Sequence, residues 1–266
     1  MNKQDIDNLD YDNVDEVALL CSYLCTISYQ SDKEQEKWLS SRFEMNYFKS
    51  SEYNNLQYYV AFDETNKNAY FVIRGTDIKR IRDEWMDLLI SLRMWPKKVK
   101  GTKAHNGYVR AGNHMLSTMK DDIDEAETKG YDIILTGHSL GGVIAKYIGC
   151  MTSTKTKVIS FGSPCLAKSD FYQDCTNTSV YKYRMDGDLI PMFPSLFYED
   201  IFGDEFLLKR GNVVIDTEDR KGFIAPLLFL AKIKIFYKLF TAVKTHNMKY
   251  YTLNLLRKYK KDKINS

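Results

Sequence analysis

Apolar residues along this chain alternate between two spacings, and the switches between them mark its elements. Between Val14 and Ser28, the residues Val17, Leu20, Cys21, Leu24 and Cys25 share one helical face and predict a helix. A polar stretch of helical or loop character follows to about Phe48. In "LQYYVAFDETNKNAYFVIRGT", the runs Leu56–Phe62 and Ala69–Arg74 flank a turn rich in Asp, Asn and Lys, which predicts two strands. Ile78, Ile81, Trp85, Leu88 and Leu92 place a helix over Arg80–Arg93, and Val109–Lys129 predicts another. A strand at Asp132–Thr136 leads into a helix from about Leu140. "KVISFGSP" reads as a strand ending in a turn, and "SVYKYRMDGDLIP" as a second one.

Helices and strands therefore alternate through the middle of the chain. That order favours an α/β fold with a largely parallel sheet and crossover helices. With no internal repeat and no low-complexity linker, residues 1–266 are expected to form one domain.

Composition narrows the function classes. A hydrophobic share of 44% beside 27% charged residues is that of a soluble globular protein. The net charge of +3 is small, and no basic block is interleaved with base-stacking aromatics, so no nucleic-acid partner is expected. Five cysteines without a C-x-x-C pair argue against a disulfide framework or a zinc site, and Cys21 and Cys25 are expected in the core. The start "MNKQDIDNLDYDNVDE" is acidic and polar, unlike a secretory leader. The longest uncharged apolar run, Phe223–Ala231, is far short of the ~20 residues of a spanning helix, so no transmembrane segment is expected. A cytoplasmic location is the default expectation, with export by a signal-independent route as the other.

The chemistry concentrates in "DIILTGHSLGGVIAKYIGC", Asp132 to Cys150. "GHSLG", Gly137 to Gly141, places a serine between a strand and a helix in a G-x-S-x-G pattern. A sharp turn there lifts the hydroxyl of Ser139 into a cleft, and glycines two residues away on either side remove the collisions the turn creates. The helix behind the serine turns its N-terminal amides and positive dipole end towards the site.

A serine hydroxyl needs a base before it is a useful nucleophile. In this strand–turn–helix architecture the acid and then the histidine follow the serine in the chain. Among His105, His114, His138 and His246, only His246 lies downstream of Ser139. His138 adjoins the serine, and its side chain is expected to point the opposite way. The acid belongs in a loop just after a strand, where it can hold the imidazole in one tautomer. "VYKYRMDGDLIP" offers both Asp186 and Asp188 in that position, and the residues alone do not choose between them.

Seven segments in order resemble the fungal-type, or class 3, lipases of the α/β-hydrolase superfamily. "YFVIRGT" is similar to that family's strand ending in Arg-Gly-Ser/Thr, "EWMDLL" to its Trp-x-x-Asp-Leu segment, and "GTKAHNGYVRA" to its His-x-Gly helix start. "ILTGHSLGG" resembles its nucleophile turn, "VISFGSP" the next strand, "DLIPMFP" its Asp-(Ile/Val)-x-Pro segment, and "THNMKYY" its terminal His and Tyr. The resemblance implies an α/β-hydrolase fold with a lid or cap over the active site. It implies a serine carboxylic ester hydrolase of lipase or phospholipase type, without metal or cofactor. It places the acid on Asp188, ahead of a hydrophobic pair ending in proline, and the catalytic set on Ser139, Asp188 and His246. The oxyanion hole falls on Thr76 and on the amide of Leu140. The first fifty residues and the stretch from Glu199 to Lys244 match no segment of the pattern.

Two segments suit contact with lipid. The apolar stripe within Asp77–Trp95 is accompanied by Lys79, Arg80 and Arg82. "GFIAPLLFLAKIKIFYKLFTAVKTH" is apolar with Lys232, Lys234, Lys238 and Lys244 interspersed, a composition that can lie on an anionic membrane surface. The expected partner is a lipid or other acyl-ester substrate, with peripheral contact to such a surface. Two alternatives stand beside hydrolysis: an acyltransferase using the same triad, and a catalytically silent lipase-like binding or signalling module.

Overall fold

A computed structural model of the chain describes residues 1–49, 56–75, 96–99, 101–188, 190–192, 198, 202–209, 212–215 and 245–265. Among these, the helices are α1 (Lys3–Asp7), α2 (Val14–Ile27), α3 (Asp32–Glu36), α4 (Asn106–Thr128), α5 (Leu140–Met151) and α6 (Met248–Asn265), with a π turn at Lys37–Arg42. The strands are β1 (Asn46–Lys49), β2 (Tyr58–Asp63), β3 (Asn68–Ile73), β4 (Pro96–Val99), β5 (Thr102–His105), β6 (Asp132–His138), β7 (Thr156–Phe161), β8 (Thr178–Met185), β9 (Asp204–Lys209) and β10 (Asn212–Ile215).

Eight strands form one sheet in the order β1-β2-β3-β6-β7-β8-β9-β10. The five strands β3, β6, β7, β8 and β9 run parallel to one another, and the pairs β1–β2, β2–β3 and β9–β10 are antiparallel. This is the mostly parallel, helix-flanked sheet of the α/β-hydrolase class.

The sheet is buried on both faces, and the twofold side-chain period sorts its residues between two cores. Tyr59, Ala61, Tyr70, Val72, Ile134, Ile159 and Phe161 pack with α2 and α6. Their neighbours Val60, Phe62, Phe71, Ile73, Ile133, Leu135 and Val158 pack with α4 and α5. Removing such a side chain from water contributes roughly 1.5–3 kcal/mol each. Double-sided burial explains why β2 and β3 are buried at every position, so that they read as continuous apolar runs. Cys21 and Cys25 are buried thiols on the face of α2 that meets the sheet, and the other three cysteines are buried as well. Among the described residues, no helix is long and apolar enough to cross a membrane.

Capping explains where the helices begin. The side chain of Asn13 accepts from the Asp15 amide and opens α2, with Asp15 and Glu16 in the first turn suiting its positive end. Helix α4 starts three residues before the predicted Val109, because the imidazole of His105 accepts from the Tyr108 amide. Histidine lies outside the usual N-cap set, which hides that boundary from the sequence.

The structure adds strands where the sequence predicted none. β1 forms at the end of the polar stretch, held by antiparallel pairing to β2. β4 and β5 make a two-stranded hairpin. β9 and β10 extend the sheet within the stretch that matched no motif, and only Phe206 and Leu208 of β9 are buried. The predicted helix over Arg80–Arg93 and the lid expected at 77–95 lie outside the described residues, as does the apolar stretch 222–246 up to residue 244.

Because β6, β7 and β8 are parallel neighbours, their carboxyl ends share one edge of the sheet. Ser139 follows β6, Gly162 follows β7, and Asp188 lies three residues beyond β8. That edge is where open α/β sheets place their ligand sites.

Candidate active site

The turn from β6 into α5 is built as the sequence requires. Ser139 has φ 55° and ψ −122°, a positive φ that costs a residue with a β-carbon roughly 1–3 kcal/mol. A β-carbon on Gly137 would lie 2.4 Å from the carbonyl carbon of Gly141, and one on Gly141 would lie 2.0 Å from the carbonyl oxygen of Ile73. Both positions therefore exclude side chains. Ser139 occupies the N-cap of α5, yet its hydroxyl makes no capping bond to its own helix. The Gly142 and Val143 amides bond to its carbonyl instead, at 3.1 and 3.3 Å. The Leu140 amide belongs to the first turn, where N–H groups have no acceptor within the helix.

The carboxylate that meets a histidine is Asp188. Its Oδ2 lies 2.7 Å from Nδ1 of His246, and its side chain is buried completely, against 2% exposure for that of His246. Oδ1 accepts from the Ile190 amide at 2.9 Å, and the Asp188 amide donates to the Met185 carbonyl at 3.0 Å. Tyr251 donates its hydroxyl to the same Oδ2 that faces the histidine, and that hydroxyl accepts from the Met185 amide at 3.2 Å. Burial, then the charge of Asp188, holds the Tyr251 phenol well above its ordinary pKa, so it stays a donor. Asp186, two residues earlier, is exposed and lies 3.9 Å from Lys209. The two carboxylates that the sequence could not separate have opposite environments.

His246 donates from Nδ1 to the carboxylate, so in the neutral ring the lone pair sits on Nε2. Nε2 is buried and has no hydrogen-bond partner among the described residues. An orphaned buried ring nitrogen is costly, and a waiting proton acceptor is one of the few roles that explains it. The ring rests against Gly162, whose φ is +57°. The preceding carbonyl, that of Phe161, accepts from the Ser139 amide at 2.9 Å. The Phe161–Gly162 peptide thus touches both the serine's main chain and the imidazole.

Behind the site, His138 places Nε2 2.7 Å from the His246 carbonyl and Nδ1 2.9 Å from the Tyr29 hydroxyl. Burial, and then the charge on His246, holds His138 well below its ordinary pKa. Its side chain does leave the serine, but it reaches the base from behind. His105 lies away from this set, stacked on Tyr108 at 4.0 Å between ring centroids.

Of the residues expected at the site, Asp188 and His246 are brought into contact, and Ser139 and Leu140 sit on the adjoining turn. Thr76 lies outside the described residues. The preceding Gly75 abuts the turn: a β-carbon there would lie 2.3 Å from the His138 carbonyl oxygen. Sequence reasoning missed Gly162, Tyr251 and Tyr29. Gly162 stands right after a strand in "VISFGSP", and Tyr251 lies five residues past His246, so both carried a weak signal. Tyr29, at the end of α2, carried none.

Residues 70–198 match the family described as lipase (class 3). A lipase of Caenorhabditis elegans is 26% identical over 148 residues, covering 51% of this chain and 40% of that protein. A lipase of Rhizopus niveus is 26% identical over 188 residues, covering 63% of this chain and 47% of that one. The chain thus matches less than half the length of these relatives. In fold it is similar to the Rhizomucor miehei lipase–propeptide complex, with TM-score 0.62 and 18% identity over 79% of this chain and 74% of that one.

Proposed function

As this chain belongs to the fungal-type, class 3 lipase family, we propose that it is a serine carboxylic ester hydrolase that cleaves acyl esters of glycerolipids. The observation that carries this reading is the buried His246, clamped at Nδ1 by Asp188 and unpartnered at Nε2 among the described residues, on the same sheet edge as Ser139 in its strained turn.

The Oγ of Ser139 attacks the ester carbonyl carbon while Nε2 of His246 takes its proton. Asp188 keeps the proton on Nδ1 and stabilises the imidazolium that forms. The negative charge on the tetrahedral oxygen falls to the amides of Leu140 and Thr76, and one such donor is worth ~10²–10³ in rate. The imidazolium passes its proton to the departing alcohol, leaving an acyl ester on Ser139. Water then attacks that ester, gives a proton to Nε2, and the acid departs as the proton returns to Oγ. Tyr251 supports the cycle by holding the Asp188 oxygen that faces the ring.

The family match and the apolar, basic stretches of sequence at 77–95 and 222–246 support a lipid substrate. We place it among acylglycerols and phospholipids, presented at a lipid surface. A panel of tri-, di- and monoacylglycerols and anionic and zwitterionic phospholipids, with positional analysis of the released acid, tests this. Release from at least one glycerolipid is expected. Cleavage confined to water-soluble esters would contradict it.

A further inference from the structure

We infer that Tyr29 and His138 form a brace that sets the main chain of His246 against Ser139, making them positioning residues for the reaction. The inference rests on the reading of Ser139, Asp188 and His246 as the catalytic set. A carbonyl oxygen can only accept, so the 2.7 Å contact to His246 requires the proton of His138 to sit on Nε2. Nδ1 is then an acceptor, and the Tyr29 hydroxyl donates to it at 2.9 Å. Two bonds thus fix one tautomer and one ring orientation.

Location gives the brace its role. His138 is joined by a peptide bond to Ser139, so the neighbour of the nucleophile grips the backbone of the base. The two imidazoles lie 4.6 Å apart between centroids, tilted by 35°. The bond from Asp188 orients the His246 ring through Nδ1, whereas the bond from His138 locates the main chain that carries the ring. The two restraints are complementary.

The packing around the brace leaves little slack. Tyr29 meets His138 edge-on at 6.0 Å, and the Arg74 guanidinium lies 5.6 Å from the Tyr29 ring centre. A β-carbon on Gly75 would lie 2.6 Å from the Tyr29 hydroxyl, so glycine there admits the tyrosine. The end of α2, the end of β3, the end of β6 and the base are tied at one point. Burial keeps His138 neutral, so it does not compete for the proton that His246 must accept and return.

The test compares His138→Leu, His138→Gln and Tyr29→Phe in the full chain, on a short-chain p-nitrophenyl ester. Misplacing a catalytic group by about 1 Å can cost 10²-fold, so His138→Leu should lose about 10–100-fold in kcat with KM little changed. The labelling rate of Ser139 by a fluorophosphonate should fall in parallel. Glutamine carries an amide N–H about as far from the backbone as Nε2, so His138→Gln should recover most of kcat. Tyr29→Phe should lose several-fold in kcat, again without a change in KM. A folded His138→Leu protein with parental kcat, or a glutamine variant as slow as the leucine one, overturns the brace. If His138→Leu does not fold, Tyr29→Phe decides: lowered kcat at constant KM supports the brace and parental kcat overturns it. Absence of fluorophosphonate labelling in the parent would instead defeat the underlying catalytic assignment.

Discussion

A β-carbon on Gly162 would lie 2.8 Å from Cε1 and 2.9 Å from Nδ1 of His246, so the imidazole occupies the space a side chain at residue 162 would fill. The same β-carbon would meet the Tyr251 hydroxyl at 2.8 Å. Gly162 is thus a seat for two members of the site, and its φ of +57° also favours glycine.

Gly162→Ala is expected to displace the ring and lower kcat by about 10–100-fold, the scale of an ångström misplacement. The left-handed backbone adds a stability cost of order 1 kcal/mol. Steady-state kinetics beside thermal unfolding separate the two effects. An alanine variant with parental kcat would show that the ring does not sit there during turnover.

Asp188 and Asp186 offer a matched pair. Asp188→Asn replaces an acceptor with a group that can donate to Nδ1, which favours the wrong tautomer of His246 and should cost about 10³–10⁴ in kcat. Asp186→Asn alters an exposed carboxylate 3.9 Å from Lys209, and should leave kcat within about twofold. Equal losses in both variants would argue against Asp188 as the orienting acid.

Acid stability follows from two buried histidines. Burial pushes His105 down from 6.5 to about 4, and His138 is held well below its ordinary value. Between pH 6.5 and about 4 the unfolded chain binds protons that the folded chain refuses, so stability falls as pH drops through that window. For His105 the decline ends below about 4, where both states are protonated. Chemical denaturation across this range checks it. His105→Asn keeps an acceptor at the N-cap of α4, and should flatten the slope. An unchanged slope in that variant would contradict the assignment.

Much of this site was legible because its chemistry imposes local sequence rules. Gly137 and Gly141 are readable since backbone atoms of other residues fill the place of their side chains. His246 is readable because it is the one histidine downstream of the serine. The choice of Asp188 over Asp186 was not available from spacing, because both follow β8 and only burial and the turn distinguish them. Tyr29 and Tyr251 reach the site through tertiary contacts, which leave no periodic trace. The fold divides in the same way. β3, β6 and β7 announced themselves as long apolar runs buried on both faces. β1, β4, β5 and β10 have four residues each, too few to show a period, and exist through pairing. The start of α4 was misplaced because a histidine caps it.

The proposed mechanism stands on Ser139 being a nucleophile activated by His246. It is tested most directly by treating the folded chain with a fluorophosphonate and locating the adduct by peptide mass spectrometry. Labelling that approaches one phosphonate per chain is expected, carried on Ser139 and lost in Ser139→Ala. A folded chain that takes up no phosphonate, or one labelled equally after that substitution, would contradict it.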